Sequence, residues 1–147
     1  MPRLALVAAL LAAPLAACES PTEPELRGTV EAIYPLDFVD TRARLDRDGL
    51  SIEYHAGDGQ IPVQLIVRRP PSGPDVIDLA DDGDVIGRRD GRVLPARKSG
   101  ELVLLDYAPE DGARVAGTFS AVLTTGDRNY GLAGAFDTTL TDARAQK

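Results

Sequence analysis

Between residues 26 and 141 short apolar or alternating runs are separated by turn residues, and no stretch sustains a helical period. The pattern predicts strands near 27–34, 37–46, 50–56, 61–69, 75–79, 84–88, 92–97, 101–108, 113–124 and 129–141. Alternation is clearest in the last two. Val115, Gly117, Phe119, Ala121 and Leu123 share one face, with Arg114, Thr118 and Ser120 opposite. Tyr130, Leu132, Gly134, Phe136 and Leu140 repeat the arrangement, with Asn129, Asp137 and Thr139 turned outward. The run Leu102-Val103-Leu104-Leu105 is apolar on both faces, which predicts a central strand covered twice. Gly117 and Gly134 each stand two residues before a phenylalanine, and either leave space for a ring of the neighbouring strand or mark a bend.

Asp-Gly occurs five times, at 48–49, 58–59, 82–83, 90–91 and 111–112. Such pairs suit the positive φ angles of tight hairpin turns. Pro62 and Pro95 fall at strand starts or edges, where a missing donor costs little. The expected fold class is therefore all-β: an antiparallel β-sandwich or small β-barrel of roughly 8–10 short strands, with no helix longer than about two turns.

The chain before this region reads differently. Met1-Pro2-Arg3 is followed by ten uncharged apolar residues, Leu4 to Ala13, and the uncharged run ends at Cys18. A positive start, a short apolar stretch and small residues describe a secretory signal. A bilayer-spanning helix needs roughly 20 apolar residues, so this one is too short for a permanent anchor. Leu15-Ala16-Ala17-Cys18 resembles the lipobox of bacterial lipoproteins. The resemblance implies that residues 1–17 are a cleaved signal helix. It also implies a diacylglycerol on the Cys18 sulfur, an amino group freed by cleavage that is often acylated as well, and Cys18 as the first mature residue. A thiolate is suited to forming the thioether. Each buried methylene contributes roughly 0.8 kcal/mol, and two or more acyl chains hold where one binds only marginally. The residue after the cysteine is Glu19 rather than aspartate, which by the sorting rule of enteric bacteria points to the outer membrane.

These readings divide the chain into a signal peptide (1–17), a lipidated cysteine with a polar tether (18–25) and one β-domain (26–147). The tether holds Pro21 and Pro24 among polar residues. Its seven residues reach about 25 Å at most, so the domain would sit close to the headgroups. The final hairpin, with its two Gly-x-Phe steps, is similar to the closing strands of small uncharacterised β-domain lipoproteins; the similarity implies a β-domain and no active-site residue.

Charge narrows the partners. With 16 basic and 23 acidic residues the net charge is −7, which disfavours nucleic acid and anionic lipid surfaces. The single cysteine excludes an intramolecular disulfide and a cysteine metal cluster. Fourteen of the 16 basic residues are arginine, and a GC-rich genome accounts for that more simply than phosphate recognition.

His55, the only histidine, is followed by Asp58 across a turn, but no nucleophile elbow or further ligand set accompanies it. It alternates out of phase with Leu50, Ile52 and Tyr54, which places it on the solvent face. Asp78, Asp81, Asp82 and Asp84 could gather oxygens around calcium, yet their spacing departs from the twelve-residue calcium loop. Asp46-Arg47-Asp48-Gly49 falls short in the same way, and turn aspartates usually bond their own backbone. Arg88, Arg89, Arg92, Arg97 and Lys98 form the main basic concentration. They could meet an anionic headgroup or an acidic partner, or simply balance nearby aspartates. The functional expectation is a non-enzymatic, membrane-anchored module that interacts with envelope proteins, with no cofactor or metal beyond the covalent lipid on Cys18. A barrel carrying a small apolar ligand in a cavity near Phe38, Tyr54, Phe119 and Phe136 is the alternative. An enzyme ranks last, because no nucleophile, base or metal set emerges.

Overall fold

The computed structural model describes residues 22–145. The export signal and Cys18 lie outside the described residues. The fold is all-β: a single nine-stranded sheet curls into a nearly closed barrel, with a two-stranded hairpin at one end. The strands are β1 (Glu25–Arg27), β2 (Asp40–Leu45), β3 (Leu50–His55), β4 (Val63–Val67), β5 (Asp75–Asp78), β6 (Gly83–Ile86), β7 (Arg88–Arg89), β8 (Arg92–Val93), β9 (Ala96–Asp106), β10 (Arg114–Thr125) and β11 (Arg128–Asp142). A 3-10 turn spans Thr29–Ala32, and a single helical turn, α1, spans Leu79–Asp82.

Around the barrel the order is β5-β9-β10-β11-β2-β3-β4-β6, and the two edge strands follow one another in the chain. β5 pairs with β9, α1 follows, and β6 then pairs with β4. Counted as one interrupted strand, β5-α1-β6 makes seven positions around the barrel. An odd ring of strands cannot alternate direction throughout, so one neighbouring pair must be parallel. That pair is β11 and β2, joined at Leu140–Ala43 through Asp142–Leu45. Parallel neighbours that follow one another need a crossover connection. These two are the last and the first of the ring and need none.

Alternation fills the interior. Ala43, Leu45, Ile52, Leu65, Leu102, Leu104, Phe119, Leu123, Leu132 and Phe136 all point inward and are buried. The inward and outward sets read from β10 and β11 hold throughout both strands. Leu102-Val103-Leu104-Leu105 corrects the expectation of a doubly covered strand. β9 is central, between β5 and β10, but Leu105 is 59 % exposed. A barrel wall has one covered face, so only Leu102 and Leu104 are buried.

Three predicted strands are broken, each where a barrel end must close. Of 27–34 only Arg27 is in a strand; the chain then turns so that Val30 and Tyr34 plug the barrel, and the Tyr34 hydroxyl donates to the Pro62 carbonyl at 2.7 Å. The expected strand 84–88 bends at Gly87, where a side chain would run into the Pro62 carbonyl. The expected strand 92–97 splits at Leu94, which is buried, and Pro95, which is half-buried. Four of the five Asp-Gly pairs turn hairpins; Asp82-Gly83 instead ends α1, with the glycine packed against the Leu79 side chain. Thr22 and Glu25, tether by composition, lie along β11: the Thr22 amide donates to Asp137 at 3.0 Å and Glu25 pairs with Ala135.

Candidate interaction surface

The β7–β8 hairpin is held to the barrel by a set of side-chain and backbone bonds. Asp90 and Gly91 form its turn with φ of 51° and 74°, the two positive values that a two-residue hairpin loop requires. Arg88 pairs with Val93, and Arg89 with Arg92. Directly opposed residues share a face and successive residues alternate, so Arg89 and Arg92 look one way, Arg88 and Val93 the other.

The Arg89–Arg92 face is fastened to the barrel. Arg89 is only 12 % exposed and meets Asp37 and Asp58, each at 2.6 Å, and Asp90 at 3.4 Å. On Asp37 it is bidentate, through Nη2 and Nε. Arg92 donates to the Ile33 carbonyl at 3.1 Å. The Asp90 amide donates to Gln60 Oε1 at 2.8 Å, while Gln60 in turn donates twice to Asp58. Backbone bonds from Arg88 to Ile61 and from Leu94 to Gly87 complete the attachment. The Arg89 guanidinium holds the Asp37 carboxyl below its ordinary range. Asp58 is lowered as well, first by the Gln60 amide and then by Arg89. The same bonds push Arg89 upward, so it stays charged.

The opposite face is open. Val93 is 63 % exposed and Ile86 43 %. With Ile61, Gln60, Gln64 and Arg88 they line a groove of about 490 Å³ on the outer wall, across β4, β6 and the hairpin. Among the described residues Arg88 has no ion-pair partner.

The basic concentration read from the sequence is thus divided. Arg88, Arg89 and Arg92 share the hairpin. Arg97, at the start of β9, reaches Asp84 on β6 at 3.2 Å and ties the two strands where no backbone pairing joins them. Lys98 lies exposed beyond it. Sequence reasoning missed Ile61, Ile86 and Val93 as surface apolars. The legible signal was the Asp90-Gly91 turn, which with strict alternation separates Arg88 from Arg89.

The other candidates are occupied structurally. His55 takes the outer-facing phase of β3, but its side chain is only 14 % exposed rather than open to solvent as expected, and it meets Glu53 at 2.7 Å rather than Asp58. Asp78 caps α1 through the Ala80 amide at 2.8 Å, and Asp84 accepts from Val85 and Arg97. Asp46 accepts from the amides of Asp48 and Gly49 in its own turn. Among the described residues no group of three or more His, Cys, Asp or Glu side chains is arranged to hold a metal. Tyr54 and Phe119 are buried and Phe38 packs against the core from its edge; the rings of Phe38 and Tyr54 meet edge-on at 5.0 Å between centroids, and Tyr54 and Phe119 at 6.1 Å. In comparisons with known proteins no family model matches the chain, and no curated protein or solved structure does either.

Proposed function

We propose that this chain is an exported lipoprotein, held at a bacterial membrane through a lipid on Cys18, whose barrel serves as a non-enzymatic interaction module of the cell envelope. The observation that carries the interaction reading is the latched hairpin. A nearly buried arginine and three aspartates hold a two-strand hairpin whose outward face leaves Val93 in solvent. Exposed apolar side chains on a rigid element suit a partner, because little ordering entropy remains to be lost on binding. The packed aromatic rings support this reading over a carrier, since they occupy the place where an apolar ligand would sit.

The anchoring half rests on the lipobox-like Leu15-Ala16-Ala17-Cys18. Mass spectrometry of membrane-extracted protein should find lipidated Cys18 as the first residue, and Cys18→Ala should release the protein from the membrane. Fractionation should place the wild type in the outer membrane. For the interaction half, a photo-crosslinker at Val93 should capture one envelope protein in living cells, and the same group at outward Thr118 should not. An unmodified N-terminus ends the anchoring argument; equal or absent crosslinking from Val93 and Thr118 ends the interaction argument.

A further inference from the structure

We propose that the groove beneath the hairpin binds an extended protein segment in which apolar side chains alternate with carboxylates, and that Arg88 is the residue that selects the charge. The inference rests on the interaction reading above and names the partner's chemistry.

The selection follows from how the other cations are engaged. Arg89 is saturated by Asp37, Asp58 and Asp90, Arg97 meets Asp84, and Arg92 donates to a backbone carbonyl. Arg88 alone lines the groove as a cation. The nearby carboxylates of Asp58 and Asp90 turn to Arg89 instead, and neither comes within ion-pair distance of Arg88. A carboxylate arriving from outside therefore finds a bidentate donor that nothing in the fold satisfies. The protein's net charge of −7 does not forbid this. Screening limits the overall field to about 8 Å at physiological salt, so the local cation decides the contact.

The apolar part of the groove sets the rest of the ligand. Ile61, Ile86 and Val93 supply shallow apolar surface, and Gln64 adds an amide beside them. Gln64 Nε2 already donates to Glu53, which leaves its oxygen available as an acceptor for a backbone amide. An extended chain places alternate side chains on one side and keeps its backbone amides accessible. Such a segment can lay apolar side chains on the isoleucines and a carboxylate on Arg88.

The test is an anisotropy titration of the detergent-solubilised full-length protein with a fluorescein-labelled peptide of alternating valine and glutamate. The comparators are the same peptide with lysine for glutamate, and octanoate. The glutamate peptide should bind saturably and the lysine peptide should not. Arg88→Glu and Val93→Ser should each weaken binding by about tenfold or more, the loss expected for one charge-assisted or one apolar contact. Both side chains are exposed, so both variants should keep the wild-type circular dichroism. Lys98→Glu makes the same charge change outside the groove and should leave binding unchanged. No saturable binding, equal binding of the lysine peptide, or indifference to Arg88→Glu overturns the inference. So does octanoate binding without the peptide, which would make the groove a small-amphiphile site. Self-association of the wild type that Val93→Ser abolishes would assign the groove to a second copy instead. If Val93 crosslinks a partner in cells while the glutamate peptide fails, the interaction reading stands and only the partner chemistry falls.

Discussion

Phe119 lies directly across from Gly134 on the neighbouring strand, and its ring covers the place where a side chain would stand. A Cβ built on Gly134 would lie 2.6 Å from Phe119 Cε1. The relationship is reciprocal, since Phe136 lies across from Gly117, with its Cζ 3.0 Å from the corresponding point. Each glycine of the hairpin therefore stands under the other strand's ring, and each also faces a backbone carbonyl, Val103 O against the built Cβ of Gly117 and Glu25 O at 2.6 Å from that of Gly134; both rings are buried.

Truncating either ring should cost about 3–5 kcal/mol of stability, because the surrounding wall cannot collapse into the space. Gly134→Val should cost about 1–3 kcal/mol or more from overpacking against both Phe119 and the Glu25 carbonyl. Outward Thr118→Ala or Thr139→Ala should stay within about 0.5 kcal/mol. Denaturant midpoints of these variants check the set; equal shifts for Phe119→Ala and Thr118→Ala would contradict the facing.

Arg89→Gln should free the hairpin without unfolding the barrel. Hydrogen exchange, corrected for intrinsic rates, should show the Asp90 and Leu94 amides protected in the wild type and unprotected in the variant. The wild-type protection should also depend on acid. Asp37 and Asp58 titrate below their ordinary range when folded, so the stability they contribute is present above about pH 4 and is lost as pH falls through the lowered values. Arg89→Gln should show much less of that acid dependence.

At the alkaline end two buried tyrosines should dominate. Burial pushes Tyr34 up to about 12 and Tyr54 higher still. The folded state keeps protons that an unfolded tyrosine releases near pH 10, so stability is whole below about pH 10 and falls as pH rises beyond it. Tyr54→Phe should lower neutral-pH stability by about 1 kcal/mol, since the hydroxyl donates to the Ala135 carbonyl at 2.7 Å. The same variant should lose less between pH 10 and pH 12. Tyrosinate absorbance followed alongside circular dichroism checks both statements.

Tyr107 should behave in the opposite way. Its hydroxyl is buried and has no hydrogen-bond partner among the described residues. Tyr107→Phe removes an unsatisfied group and should be neutral or stabilising by up to about 1 kcal/mol. A clear loss of stability in thermal melts would mean that the hydroxyl has a partner in solution.

The all-β class, the facing of β10 and β11, the four Asp-Gly hairpins and the outer-facing phase of His55 along β3 were legible in the sequence. Each depends on the two-residue period of a strand or on the φ preference of a turn, and both act over neighbouring residues. Tertiary structure alone decided the rest. That β11 and β2 are parallel follows from the parity of a seven-position ring, which no local segment records. That 27–34 becomes a plug and Leu105 faces solvent depends on where the barrel ends and on its having one inner face. That Arg89 is locked while Arg88 stays available depends on Asp37 and Asp58, which lie 52 and 31 residues away in sequence. Ion-pair choice is made by whichever carboxylates the closed barrel brings within about 3 Å, and sequence distance carries no information about that.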